Sequence, residues 1–189
     1  GVSDLVRHRV DRHRHPDLVH RIEHVLVDVR HRAGLQSDRS LLLETGGPLY
    51  ASCRDAIAPF CELLKSPEHI HTYRITPLSL WNAAVAGLSS GDVAATITDL
   101  AKYPVAPSVL AEVHDQMSRY GRLRLVRDHD TAALALTSAE PALLEEVSRD
   151  KQVAELLGDR LDGNRFAVRA GDRGVLKQAL IRLGWPAAD

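Results

Sequence analysis

Apolar positions change their period several times along the chain, and each change marks an element. SLLLE, residues 40–44, is a short apolar run closed by Gly46, Gly47 and Pro48, the pattern of a buried strand ending in a turn. LYASCRDAI, residues 49–57, predicts a helix that stops before Pro59, because the residue ahead of a proline is pushed out of helical geometry. FCELL and HIHTYRI alternate, predicting two strands joined around KSPE. Alternation puts His69, His71, Tyr73 and Ile75 on one face and Ile70, Thr72 and Arg74 on the other.

Three helices follow. Thr76 then Pro77 form an N-cap and a proline at the first helical position, with Leu78, Trp81, Val85 and Leu88 on one face. The second helix begins at SSGD, turns Val93, Ile97, Leu100 and Ala101 inward and stops at Pro104. The third runs from Pro107 to Tyr120, with Val109, Leu110, Val113 and Met117 inward and Gly121 as its stop. Strands RLRLV (122–126) and ALALT (133–137) flank the polar loop RDHDT. Helix, helix, helix, strand, loop, strand is the order of a winged helix. Beyond it, PALLEEV and QVAELL predict helix and RFAVRA a strand. GVLKQALIRLGW predicts a helix with Val175, Leu176, Ala179, Leu180 and Leu183 inward.

The expected fold class is therefore α+β: a winged-helix-like three-helix unit with a small antiparallel sheet, plus a C-terminal α/β/α extension. Three divisions are expected: a His/Arg-rich extension over 1–35, the winged-helix-like core over 36–139, and 140–189 packed on that core. The first 34 residues hold six of the ten histidines and seven arginines but no lysine. Leu18, Val19, Ile22, Val25, Leu26 and Val29 fall near helical spacing there, and HRHRHP reads as a solvated tract rather than a metal site.

Composition narrows the functional classes. A chain of 189 residues, 44% hydrophobic and 26% charged, is an ordinary globular protein. It has no apolar run near the roughly 20 residues that span a bilayer and no secretory h-region, so a cytoplasmic location and no membrane partner are expected. Cys53 and Cys61 are too few for a disulfide framework. A net charge of −1 gives no global attraction to nucleic acid, so any DNA contact needs a local patch.

Catalytic motifs are missing from the sequence. There is no G-x-x-x-x-G-K-[ST] phosphate loop, no acidic magnesium pair and no G-x-S-x-G elbow. Glu145 and Glu146 are adjacent, so a helix points them apart. His69 and His71 lie at ligand reach on one strand face with Cys61 nearby. A zinc site needs three or four ligands, however, so the pair reads as scaffold, with no metal and no cofactor in this chain.

The same residues carry a family resemblance. SDRSLLLE, AIAPFCELLKSPEHIHTYRITPLSLWNAAVAG, the YP of KYPV, SRYGRLRLV, LLGDRLD and LKQALIRLGWP resemble the N-terminal domain of XPB-type (Ssl2-type) DNA repair helicases, over about residues 36–187. The resemblance implies a fragment of an ATP-dependent 3′–5′ DNA helicase or translocase whose motor domains, with ATP and magnesium, lie outside this chain. On that basis the expectation is a non-catalytic interaction and regulatory domain. It would dock on its own motor domains or on a partner protein, as it does in the eukaryotic TFIIH complex.

Tyr73, Trp81 and Tyr120 are then core or interface aromatics, and His69, His71, Asn82 and Gly121 belong to the same structural set. The alternative is a winged-helix module that binds duplex DNA directly. The outward side of its third helix would offer Glu112, Asp115, Gln116 and Arg119, two acids facing phosphate. Arg119, Arg122, Arg124 and Arg127 are the candidate DNA contacts, offset by Asp128 and Asp130.

Overall fold

A computed structural model describes residues 33–36, 38–127 and 133–189. The expected helix near 18–29, the HRHRHP tract and the loop acids Asp128 and Asp130 lie outside them.

The chain begins with β1 (Ala33–Leu35), β2 (Ser40–Glu44), α1 (Tyr50–Ile57), β3 (Glu62–Lys65) and β4 (Ile70–Arg74). The helices α2 (Pro77–Val85), α3 (Ser90–Leu100) and α4 (Pro107–Arg119) follow. Then come β5 (Leu123–Arg127), β6 (Leu134–Ser138), α5 (Pro141–Ser148), α6 (Lys151–Ala154), β7 (Leu157–Asp162) and β8 (Arg165–Val168). A 3-10 turn, Ala170–Asp172, leads into α7 (Arg173–Arg182) and β9 (Ala187–Ala188). The fold is α+β, as expected, with two sheets.

The first sheet has the order β1-β2-β4-β3, antiparallel throughout. Leu41 pairs with Tyr73 and Leu43 with His71, so the leucines of SLLLE meet the HIHTYRI face directly. Asp38 holds the turn into β2, accepting the Ser40 N–H at 3.0 Å. That bond is the largest reason the Asp38 carboxyl sits below the usual carboxylate range.

Both predicted N-caps form. Thr76 accepts the Ser79 N–H at 3.0 Å and Ser89 accepts that of Asp92 at 3.1 Å, and each third residue bonds back to its cap, closing two capping boxes. These helices, with α1 and α4, bury Ile57, Leu80, Ala83, Ile97 and Val113 against Leu41, Leu43, Phe60 and Ile75.

The second sheet, β7-β8-β6-β5-β9, is antiparallel except for the β5–β9 pair. Leu123, Leu125, Leu136 and Val168 close a separate core with Leu144, Val153, Leu176 and Leu180 from α5–α7. The chain crosses between cores at Tyr120–Gly121, where φ of +85° demands glycine. The β5–β6 hairpin is therefore no wing on α2–α4. Its leucines face α5 and α7, and it forms an interior pair of strands in a larger sheet. The two cores meet near residue 121 instead of the expected division at 139, and Ala33–Leu35, assigned to the extension, pairs with β2.

Several inward faces differ from expectation. On α2, Leu78 (45% exposed) and Val85 (63%) face out while Ser79, Leu80, Trp81 and Ala83 are buried. The buried Ser79 hydroxyl donates to the Phe60 carbonyl at 2.8 Å, and Trp81 alone of the predicted stripe is buried. On α7, Val175 and Leu183 are exposed and Leu176, Ala179 and Leu180 are buried.

Candidate functional site

The HIHTYRIT stretch is packed in part. Tyr73 and Ile75 are buried and His71 is half-buried on the predicted face. The Tyr50 hydroxyl lies 2.5 Å from His71 Nδ1 and 3.4 Å from the Tyr73 hydroxyl, tying α1 to β4. Burial, reinforced by Tyr50, pushes the Tyr73 phenol up to about 12.

His69 departs from expectation: it is exposed and precedes β4, with its carbonyl accepting the Thr45 N–H at 3.0 Å. Its imidazole does not share the burial of His71. Burial also pushes the Cys61 thiol up, away from the thiolate a metal would need. Among the described residues no group of three or more His, Cys, Asp or Glu side chains is placed to hold a metal ion. Trp81 is buried, and its indole N–H donates to the Gln116 carbonyl at 2.9 Å, fastening α2 to α4. Asn82 is exposed between Leu78 and Val85, and Tyr120 and Gly121 are half-buried at the crossing.

The four candidate DNA-binding arginines divide into two pairs. Arg119 pairs with Asp115 at 2.8 Å, and its guanidinium carbon lies 5.1 Å from the Trp185 ring centre. Arg122 reaches the same ring at 5.8 Å and Glu140 at 3.5 Å. Trp185 follows α7 in the second unit, so two arginines at the end of the first helix bundle stack on an aromatic of the other core.

Gly184 makes the approach possible: φ is +81°, and a Cβ there would sit 3.2 Å from Arg119 Nη1. Below the stack lies an open groove of about 470 Å³ lined by Thr76, Leu78, Trp81, Arg119, Ile181 and Arg182 among others. Trp185 and Gly184 were not singled out from sequence. The glycine directly after an amphipathic helix, followed by an aromatic, is the signal that marks them.

Arg124 and Arg127 are placed differently. Both are exposed, and neither has an ion-pair partner among the described residues. Arg124 is on the outer face of the second sheet beside Thr137 and Ala188, opposite the buried Leu123 and Leu125. Arg127 ends β5 beside Leu134. Acids surround most other cations of this unit: Arg149 and Arg160 share Glu145, Arg165 pairs with Asp162, and Arg169 with Asp172. On α4, Glu112 is paired with Arg39 and Asp115 with Arg119, so the helix presents no unpaired basic face.

Residues 34–162 match the family model described as a helicase conserved C-terminal domain. The chain belongs to that helicase family. Its relatives include the DNA 3′-5′ helicase XPB of Kineococcus radiotolerans, 49% identical over 82% of this chain and 28% of that protein. The DNA 3′-5′ helicase XPB of Mycobacterium tuberculosis is 46% identical over the same shares. The general transcription and DNA repair factor IIH helicase/translocase subunit XPB/SSL2 of Saccharomyces cerevisiae is 31% identical over 81% of this chain and 17% of that protein.

The chain thus spans little more than a quarter of the length of its bacterial relatives. The description of the matched model as a helicase C-terminal domain overturns the expectation of an N-terminal interaction and regulatory domain. Among the described residues no helix is long and apolar enough to cross a membrane.

Proposed function

We propose that this chain is a section of an XPB-like, ATP-dependent 3′–5′ DNA helicase or translocase of DNA repair, and that it touches duplex DNA through Arg124 and Arg127. The observation that supports this reading is the pairing pattern. Among the described residues most cations are matched by acids, while these two guanidiniums are exposed, one on each face of β5, with no ion-pair partner. Unpaired guanidiniums are suited to phosphate, because each offers several N–H donors and a charge not already neutralised.

Contacts of this kind position a protein on the backbone without reading sequence, which is what a motor moving along DNA requires. On this reading ATP and magnesium chemistry belongs to the parts of such a helicase that its relatives have and this chain does not span. The motor domains of the same helicase are then its neighbours, in the cytoplasm. Fluorescence anisotropy with a labelled duplex tests the reading. Binding should weaken steeply with salt and be lost in the Arg124→Glu/Arg127→Glu variant. Wild-type affinity in that variant contradicts it.

A further inference from the structure

Arg127 ends its strand at the mouth of a second cavity, of about 510 Å³, at one end of the second sheet. Register sets it in one row with Leu134 on β6 and Val168 on β8, and Leu125 completes an apolar floor with them. Arg169, just past β8, and Arg173, at the start of α7, line the same cavity. Arg169 spends only Nε on Asp172, at 2.5 Å, and Arg173 uses Nη2 on Asp189, at 2.6 Å. A guanidinium carries five N–H donors, so both keep others for a ligand.

Lys177 also pairs with Asp189, at 2.8 Å, so among the described residues Arg127, Arg169, Arg173 and Lys177 lie near two carboxylates, Asp172 and Asp189.

We infer that this cavity is a binding site for a phosphate group carried on a nucleotide unit, with Arg127, Arg169 and Arg173 holding the phosphate beside the half-buried Leu134. A few convergent polar groups beside an apolar side chain are what small-ligand sites present. The cavity shares Arg127 with the proposed duplex contact and is otherwise lined by other residues, with Arg124 on the opposite face of β5. The phosphate has two sources, a free nucleoside monophosphate or a unit of a DNA strand.

Isothermal titration of the 189-residue chain with inorganic phosphate and with AMP tests the site. Both should bind, and Arg127→Ala and Arg169→Ala should each weaken AMP by about tenfold, the loss of one charge-assisted contact, while Arg124→Ala leaves it unchanged. Arg127 has no ion-pair partner among the described residues, so its variant keeps the test valid if Arg169→Ala fails to fold. Repeating the AMP titration with saturating short duplex separates the sources. Competition assigns the phosphate to DNA, and undiminished AMP binding assigns it to a free nucleotide. Absence of binding by both probes at tens of millimolar, or AMP affinity unchanged in Arg127→Ala, overturns the site whatever the duplex does. Loss of duplex binding in Arg124→Glu with AMP binding intact leaves both readings standing. AMP binding without any duplex binding removes only the duplex contact.

Discussion

The two halves of the molecule both pair arginines with acids, as Arg39–Glu112, Arg54–Asp55 and Arg74–Asp38 do in the first, but they differ in how their elements are held together. In the first, helices with capping boxes cover a four-stranded sheet, and the central polar contacts are hydroxyl and ring groups: Tyr50, His71, Tyr73 and Ser79. In the second, a five-stranded sheet packs on shorter helices and its surface is laced with Arg–Asp and Arg–Glu pairs. Exposed pairs of that kind contribute little stability each, but they cancel charge. Against that background Arg124 and Arg127 stand out as arginines with no ion-pair partner among the described residues. Arg119 and Arg122 sit between the halves and are committed to Trp185.

Separate cores make separate stabilities, and core truncation gives the largest effect. Ile57→Ala and Leu176→Ala should each cost about 2–5 kcal/mol, as expected for deleting a fully buried aliphatic side chain. Hydrogen exchange should then show the first variant loosening the amides before Gly121 and the second those after it. Equal loosening on both sides in either variant breaks the comparison. Trp185→Ala should be milder, about 1–2 kcal/mol, because the half-buried ring loses two exposed cation–π contacts and some core packing. Its distinguishing sign is faster exchange at Arg119–Leu123, read by the same method.

Cap deletion is smaller again. Thr76→Ala or Ser89→Ala should each cost about 1 kcal/mol in a denaturant melt. The smallest effect depends on pH. The Tyr73 pKa is raised from 10.0 to about 12, so the folded state favours the neutral phenol. That contribution is complete below pH 10 and is lost as pH rises towards 12. All four tyrosines precede Gly121, so the alkaline loss should appear in the first half alone and shrink in Tyr73→Phe.

Sequence showed the first half more clearly than the second. Thr76-Pro77 and SSGD announced their helix starts through capping chemistry, and HIHTYRI alternated cleanly because one of its faces is buried. β7 was missed since it is an edge strand with nearly every side chain exposed, so LGDRLD carries no apolar period. β9 is two residues long and β1 three, too short for any pattern. The winged-helix order was correct as a list of elements and misleading as a grouping. Which core Leu123 and Leu136 join is decided by α5 and α7, well over a turn of sequence away, and local periodicity does not report it. The arginines were all visible in the sequence, but their division into stacked and unpaired pairs depends on Trp185, Asp115 and Glu140 meeting them in three dimensions.

That division is tested most directly by setting two double variants side by side, Arg124→Ala/Arg127→Ala and Arg119→Ala/Arg122→Ala, each measured for duplex affinity across a salt series and for melting temperature. The first should keep its Tm and lower the salt slope of binding by about 2, one for each lost phosphate contact. The second should lose Tm and keep the slope. A variant lacking Arg119 and Arg122 that melts normally but loses the salt-dependent binding would contradict the account.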